Sequence, residues 1–160
     1  MRIMVSAALA VMVLAAAGCA TKRQPYKAPD SGPTARLLYR NAMELAGSVS
    51  MYDDAARCSR RSISPDVAAG QTWTTTVPAG KDLALTANYY SPATRLACRI
   101  TISFPVREHH EYLLELRPEP GGCRIQGTEL DEDGKTVTPF TTRHRIALTG
   151  WDEPSDWCSP

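Results

Sequence analysis

Residues Cys98 to Phe104 alternate without a break. Cys98, Ile100, Ile102 and Phe104 are apolar, and Arg99, Thr101 and Ser103 between them are polar. Successive side chains of a strand point to opposite faces, so this period of two predicts a strand with one face in a core. The pattern recurs in Ala35-Leu37-Tyr39, Val49-Met51, Trp73-Thr75-Val77, Leu83-Leu85-Ala87-Tyr89 and Tyr112-Leu114-Leu116. Cys123 and Ile125 share another face, and Val137, Ile146 and Leu148 mark further segments. Turn chemistry separates these runs at Asp53-Asp54, Pro78-Ala79-Gly80 and Asp131-Glu132-Asp133-Gly134. About seven to nine short strands so spaced predict an all-β fold, a single antiparallel β-sandwich. Only Leu37 to Ala46 competes as a helix, with Asn41 to Ala46 forming a turn or so. The 12 prolines oppose anything longer.

The chain opens with a positive residue, Arg2, and an uncharged run from Ile3 to Ala17 rich in Ala, Val, Leu and Met. The small residues Ala16, Ala17 and Gly18 lead directly into Cys19. This is the pattern of a secretory signal, and the apolar run is too short to span a bilayer comfortably. The block LAAAGC resembles a bacterial lipobox. The resemblance implies cleavage before Cys19, acylation of that cysteine (the palmitate class of modification) and membrane attachment through lipid. Plain cleavage by the general signal peptidase, with Cys19 incidental, is the competing reading. Residues 1–18 are thus expected to be a lipoprotein signal peptide. Residues 19–33, polar and with three prolines among 20–33, are expected to be the lipidated cysteine and a flexible tether. Residues 34–160 are expected to form the β-sandwich domain. Ala20 after the cysteine resembles the sorting signal of outer-membrane lipoproteins, which implies the periplasmic face of the outer membrane.

Removing 18 of 160 residues leaves 142, enough for one domain with a real core. Of 18 Lys and Arg only Arg2 is lost, so 17 basic residues face 17 acidic ones. This balance argues against nucleic acid as a partner and gives no overall reason for polybasic steering to anionic headgroups.

Setting Cys19 aside leaves Cys58, Cys98, Cys123 and Cys158. An even number in an exported chain predicts two disulfides, and three pairings are possible. Cys98 shares a face with Ile100 and Ile102, and Cys123 shares one with Ile125, so both thiols should point into the core. Cys58 in a loop and Cys158 in the C-terminal tail would then meet at the rim. Cys98–Cys123 with Cys58–Cys158 is therefore the favoured pairing. A zinc site is the other use of four cysteines, but no CxxC pair is present.

The order Pro78-Ala79-Gly80-Lys81, then Cys98 with Phe104-Pro105, Tyr112, Gly122-Cys123 and an acidic turn resembles a group of small, cysteine-bearing Gram-negative lipoproteins. That resemblance covers about a third of the chain, from Pro78 to Gly134, and implies a β-sandwich domain. It carries over no functional residues.

Few residues suggest chemistry. His109-His110-Glu111 lacks the second His four residues on that a zincin helix requires, since Leu114 stands there. It reads instead as a polar hairpin turn before Tyr112, and His144 could join it only by proximity in space. Glu129, Asp131 and Asp133-Gly134 imitate a calcium loop, but Phe140 occupies the position of the bidentate Glu. There is no Gly-x-Ser-x-Gly elbow and no Gly-rich phosphate loop. Arg57, Arg60 and Arg61 surround Cys58, either as a solvated loop or as a site for an anionic partner such as lipopolysaccharide. Trp151 and Trp157, with Tyr89-Tyr90, are candidates for an exposed recognition surface. With Cys158 bridged, the tryptophans are better placed to pin the tail. The expectation is a non-catalytic, lipid-anchored envelope protein that binds or assembles with an envelope protein partner, without cofactor or metal. A periplasmic inhibitor or ligand-binding lipoprotein, in a role like that of lysozyme inhibitors, is the alternative. A metal-dependent enzyme using His109, His110 and His144 ranks last.

Overall fold

The computed structural model describes residues 24–130, 136–148 and 156–159. Ten strands run through them: β1 (Thr34–Asn41), β2 (Gly47–Asp54), β3 (Ser59–Ile63), β4 (Thr72–Pro78), β5 (Lys81–Ser91), β6 (Leu96–Val106), β7 (Glu111–Glu119), β8 (Gly122–Leu130), β9 (Thr136–Pro139) and β10 (Arg143–Arg145). They form two five-stranded sheets, ordered β4-β1-β7-β8-β9 and β10-β6-β5-β2-β3. The chain is an all-β sandwich.

The alternating positions meet between the sheets. Leu37, Tyr39, Leu114 and Leu116 of the first sheet and Val49, Leu85, Ile102 and Phe104 of the second are all fully buried in one core. Each excludes water from one strand face, and a side chain of this size contributes about 1.5–3 kcal/mol when buried. Cys98 on β6 and Cys123 on β8 are joined across the two sheets, with Cα atoms 6.2 Å apart. The second disulfide joins Cys58 and Cys158 at 5.3 Å and encloses 100 residues of sequence. Loop-closure entropy assigns the two about 3.5 and 4.7 kcal/mol.

Among the described strands the sandwich departs from a purely antiparallel one at a single pair: β1 lies parallel to β7, with Arg36 beside Glu111 and Leu38 beside Leu113. Nor is any part of Leu37–Ala46 helical. Asn41 ends β1 and is fully buried. Its Nδ2 donates to the carbonyls of Leu45 and Val67, both at 2.8 Å, and its Oδ1 accepts from the Met43 amide at 3.1 Å. One side chain thus satisfies three backbone groups, and the chain takes a loop where helix propensity alone would favour a turn of helix.

The outer face of the second sheet is also covered. Residues 146–148 pair with 157–159 through Leu148 N to Trp157 O at 2.8 Å and Ser159 N to Ile146 O at 3.0 Å. The Trp157 amide in turn reaches the Arg57 and Cys58 carbonyls. Tyr52, Cys58, Ala84, Trp157 and Cys158 form a second, smaller core there. Cys58 and Cys158 are therefore inside this core, not at a rim. Beneath it a chain of hydroxyls, Tyr52 to Thr86 to Thr101, crosses β2, β5 and β6 at 2.8 Å per step. Arg145 fixes the strap: its Nε donates to Ser159 O at 2.7 Å, and its other nitrogens reach Ala55 O, Ala56 O and Ser103 Oγ. Ile146 and Leu148, expected to mark a further strand, lie beyond β10 and are 70% and 40% exposed.

Candidate functional site

The segment expected to be a free tether is anchored within its described part. Ile63 N donates to Gln24 O at 2.8 Å and Tyr26 N to Ile63 O at 2.9 Å, so the chain runs beside the β3 edge. The Tyr26 ring stands edge-on to Trp73 of β4, and its hydroxyl donates to Thr76 O at 2.7 Å. Burial, and secondarily the Asp53 charge, push its ionisation up to about 12, so the hydroxyl keeps its proton throughout the physiological range. Tyr26 therefore closes the side of the sandwich on which the edges of both sheets, β3 and β4, lie open.

Basic residues gather on the same side. A recess of about 390 Å³ is lined by residues 24–27, Asp53, Arg60, Arg61 and Ser62. Lys27 and Arg60 are exposed. Arg60 lies 3.7 Å from Asp53, and the Arg61 guanidinium sits 3.7 Å from the centroid of the Trp157 ring. Arg57 turns away toward Asp54, at 3.2 Å, and Asp156, at 4.0 Å. The three arginines do not act as one cluster. Only Arg60 and Arg61 meet the recess, since the Asp54 carboxylate holds Arg57 in the preceding turn.

The histidine stretch is a crossover between sheets, not a hairpin, because β6 and β7 belong to different sheets. His109 takes a left-handed backbone (φ 61) and donates its amide to Thr34 O at 3.0 Å. His110 Nδ1 bonds to Glu129, which also accepts from Arg107 at 2.5 Å. His144 lies on β10 in register with Ile102. Among the described residues no group of three His, Cys, Asp or Glu is placed to hold a metal ion. A second recess of about 650 Å³, lined by Thr34, Arg36, His109, His110, Glu111 and Glu129 among others, opens beside this crossover.

The outer face of the first sheet presents a different chemistry. Leu38 and Leu113 stand side by side, each partly buried. Arg36–Glu111 at 2.8 Å flanks them on one side, and Arg40–Glu115 at 3.6 Å with Arg117–Glu115 at 2.5 Å on the other. The Arg36 and Arg40 side chains remain 59% and 52% exposed.

No protein-family model matches the chain, and no curated protein matches it significantly.

Of the residues singled out from sequence, Cys98, Cys123, Cys58 and Cys158 pair as expected. Trp157 is 8% exposed and seated in the smaller core, so it pins the tail and offers no recognition surface. Tyr89 is buried and Tyr90 is 61% exposed. Cys19, Trp151, Asp131 and Asp133 lie outside the described residues. Sequence reasoning did not single out Tyr26, whose role depends on two edges meeting in space, or the Arg36–Glu111 and Arg40–Glu115 pairs. The latter were detectable as charged alternates of the Leu37-Tyr39 and Tyr112-Leu114 patterns, but not as partners across a parallel pair.

Proposed function

We propose that the chain is a lipid-anchored cell-envelope protein whose β-sandwich binds a protein partner and catalyses nothing. The carrying observation is the asymmetry of the two sheets. The second sheet has its outer face sealed by the C-terminal strap, while the first keeps an open face with an apolar centre and paired charges of both signs. A face of mixed sign around two leucines suits a protein surface better than nucleic acid or a lipid leaflet, each of which calls for a single sign of charge. Two disulfides suit an oxidising compartment. The apolar run ending in Cys19 and the following Ala20 favour the periplasmic face of the outer membrane, with acylated Cys19 as the anchor.

Crosslinking of the native lipoprotein in intact cells, followed by pull-down and mass spectrometry, tests the reading. The expected result is one dominant envelope partner, lost when Leu113 is replaced by Asp while both disulfides persist. An empty pull-down, or capture indifferent to Leu113→Asp, overturns it. Replacing Cys19 by Ser should release the protein from the membrane fraction, and continued retention would refute lipid as the sole tether. The ligand-binding alternative has a physical location in the recess beside His109 and Glu129, and a screen of small ligands and metals against the purified protein addresses it.

A further inference from the structure

Only residues 20–23 separate Cys19 from the docked Gln24. Whatever their conformation, five Cα steps reach no farther than about 18 Å. If Cys19 carries the acyl chains, as proposed above, the side of the sandwich bearing β3, β4 and Tyr26 stays within about 18 Å of the membrane surface. The far edges, β9 and β10, stand four strand spacings away, about 19 Å. The short leash also keeps the charges of this side near the leaflet. Lys27 and Arg60 are exposed at the recess where the chain joins the domain, beside the Asp53 carboxylate, while Arg61 is engaged over the Trp157 ring. Two further basic residues, Lys22 and Arg23, lie in the leash itself. The overall neutrality of the chain conceals this local excess.

We infer that the β3 edge, with Lys27 and Arg60, rests on anionic phospholipid headgroups and holds the sandwich on its side. Both sheet planes then stand upright from the bilayer, which leaves the Leu38–Leu113 face accessible to a partner approaching laterally. Each Lys or Arg brought to an anionic surface favours that arrangement by about fivefold. Arg60 is long enough to exchange its exposed Asp53 contact for a phosphate at little cost, because exposed ion pairs contribute little.

The test uses the full lipidated protein in vesicles of phosphatidylethanolamine with about one-third phosphatidylglycerol, a composition chosen to be anionic. A photo-crosslinking amino acid is placed at exposed Ala28, beside Lys27, or at exposed Thr138 on β9. Lipid adducts should form at Ala28 in at least about fivefold excess over Thr138, the factor expected for one basic contact. The paired substitution Lys27→Glu and Arg60→Glu, both at exposed positions, should bring the ratio toward unity. So should a flexible insert of about ten residues after Thr21, which frees the domain from the surface. Comparable yields at the two positions in the unmodified chain overturn the inference, as does a ratio indifferent to the double substitution. Intact mass of the N-terminal peptide separates this from failure of the lipid anchor. An unacylated Cys19 defeats the underlying reading, whereas an acylated chain with equal adducts defeats only the orientation.

Discussion

The Phe140 ring fills the space that a β-carbon on Gly127 would need, with an ideal Cβ falling 2.6 Å from Phe140 Cζ. Phe140 also packs on Phe104 and Tyr112, at centroid distances of 4.8 and 5.3 Å, so the ring cannot retreat without disturbing the core. Gly127→Ala should cost about 1–3 kcal/mol, read from the urea midpoint. Adding Phe140→Leu should recover part of that loss. Strictly additive losses would show that the two residues do not share the space.

Tyr39 is fully buried, and its hydroxyl has no hydrogen-bond partner among the described residues. Burial alone raises its ionisation well above the usual tyrosine range. Tyr39→Phe keeps the ring and removes an unpaired polar atom, so stability should rise by about 1 kcal/mol. A loss of that size in thermal unfolding would reveal a partner for the hydroxyl and contradict the assignment.

Arg145 draws the strap, the β2–β3 turn and β6 together through four hydrogen bonds from one guanidinium. Arg145→Met should destabilise the fold by about 2–4 kcal/mol, since the carbonyls lose a charged donor. Arg145→Lys should rescue little, because an ammonium lacks the planar fork. Amide exchange at Trp157 and Cys158 should accelerate in both variants. Unchanged protection there would mean that the disulfide alone holds the strap.

Asp54 stabilises the turn that carries Cys58. Its Oδ1 accepts from the Ala56 and Arg57 amides at 3.0 and 3.3 Å, and its Oδ2 from Arg57 Nε at 3.2 Å. Slight burial pushes its acidity the other way, but these bonds and the Arg57 charge outweigh it and hold the carboxyl below its ordinary value of 3.8. A carboxyl depressed by folding stabilises fully above its unfolded value, and that contribution fades as pH falls through the folded one. As pH falls through the ordinary carboxylate range and below it, the wild type should therefore lose more stability than Asp54→Asn. Parallel acid-unfolding curves for the two would remove Asp54 from this role.

The strands and both disulfides were legible because alternation and cysteine facing are local signals, as Cys98 to Phe104 shows. Asn41 misled because one of its three backbone bonds is made to Val67, 26 residues away. Thr101 and Ser103 fall on the polar face of β6 and Thr86 on that of β5, yet all three are buried. Period two says only that two faces differ, not that the polar face is wet, and here a strap and a hydroxyl chain cover it. Tyr26 escaped notice for a related reason. A single tyrosine in a Pro-rich polar stretch has no periodicity, and its two partners come from separate sheets. The open face was half legible: the charges alternate visibly in β1 and β7, but their pairing required knowing that these strands run parallel.

The parallel pairing of β1 and β7 also governs timing. Arg36 meets Glu111 across 75 positions of sequence, so β1, an inner strand of the first sheet, lacks one neighbour until that stretch has been made. At ribosomal rates of about 5–20 residues per second, the wait is about 4–15 s. Contacts of such long range also slow folding once the chain is complete. If the chain is exported by threading, as the proposed function implies, the late-arriving partner strand helps to keep it unfolded until it reaches the membrane.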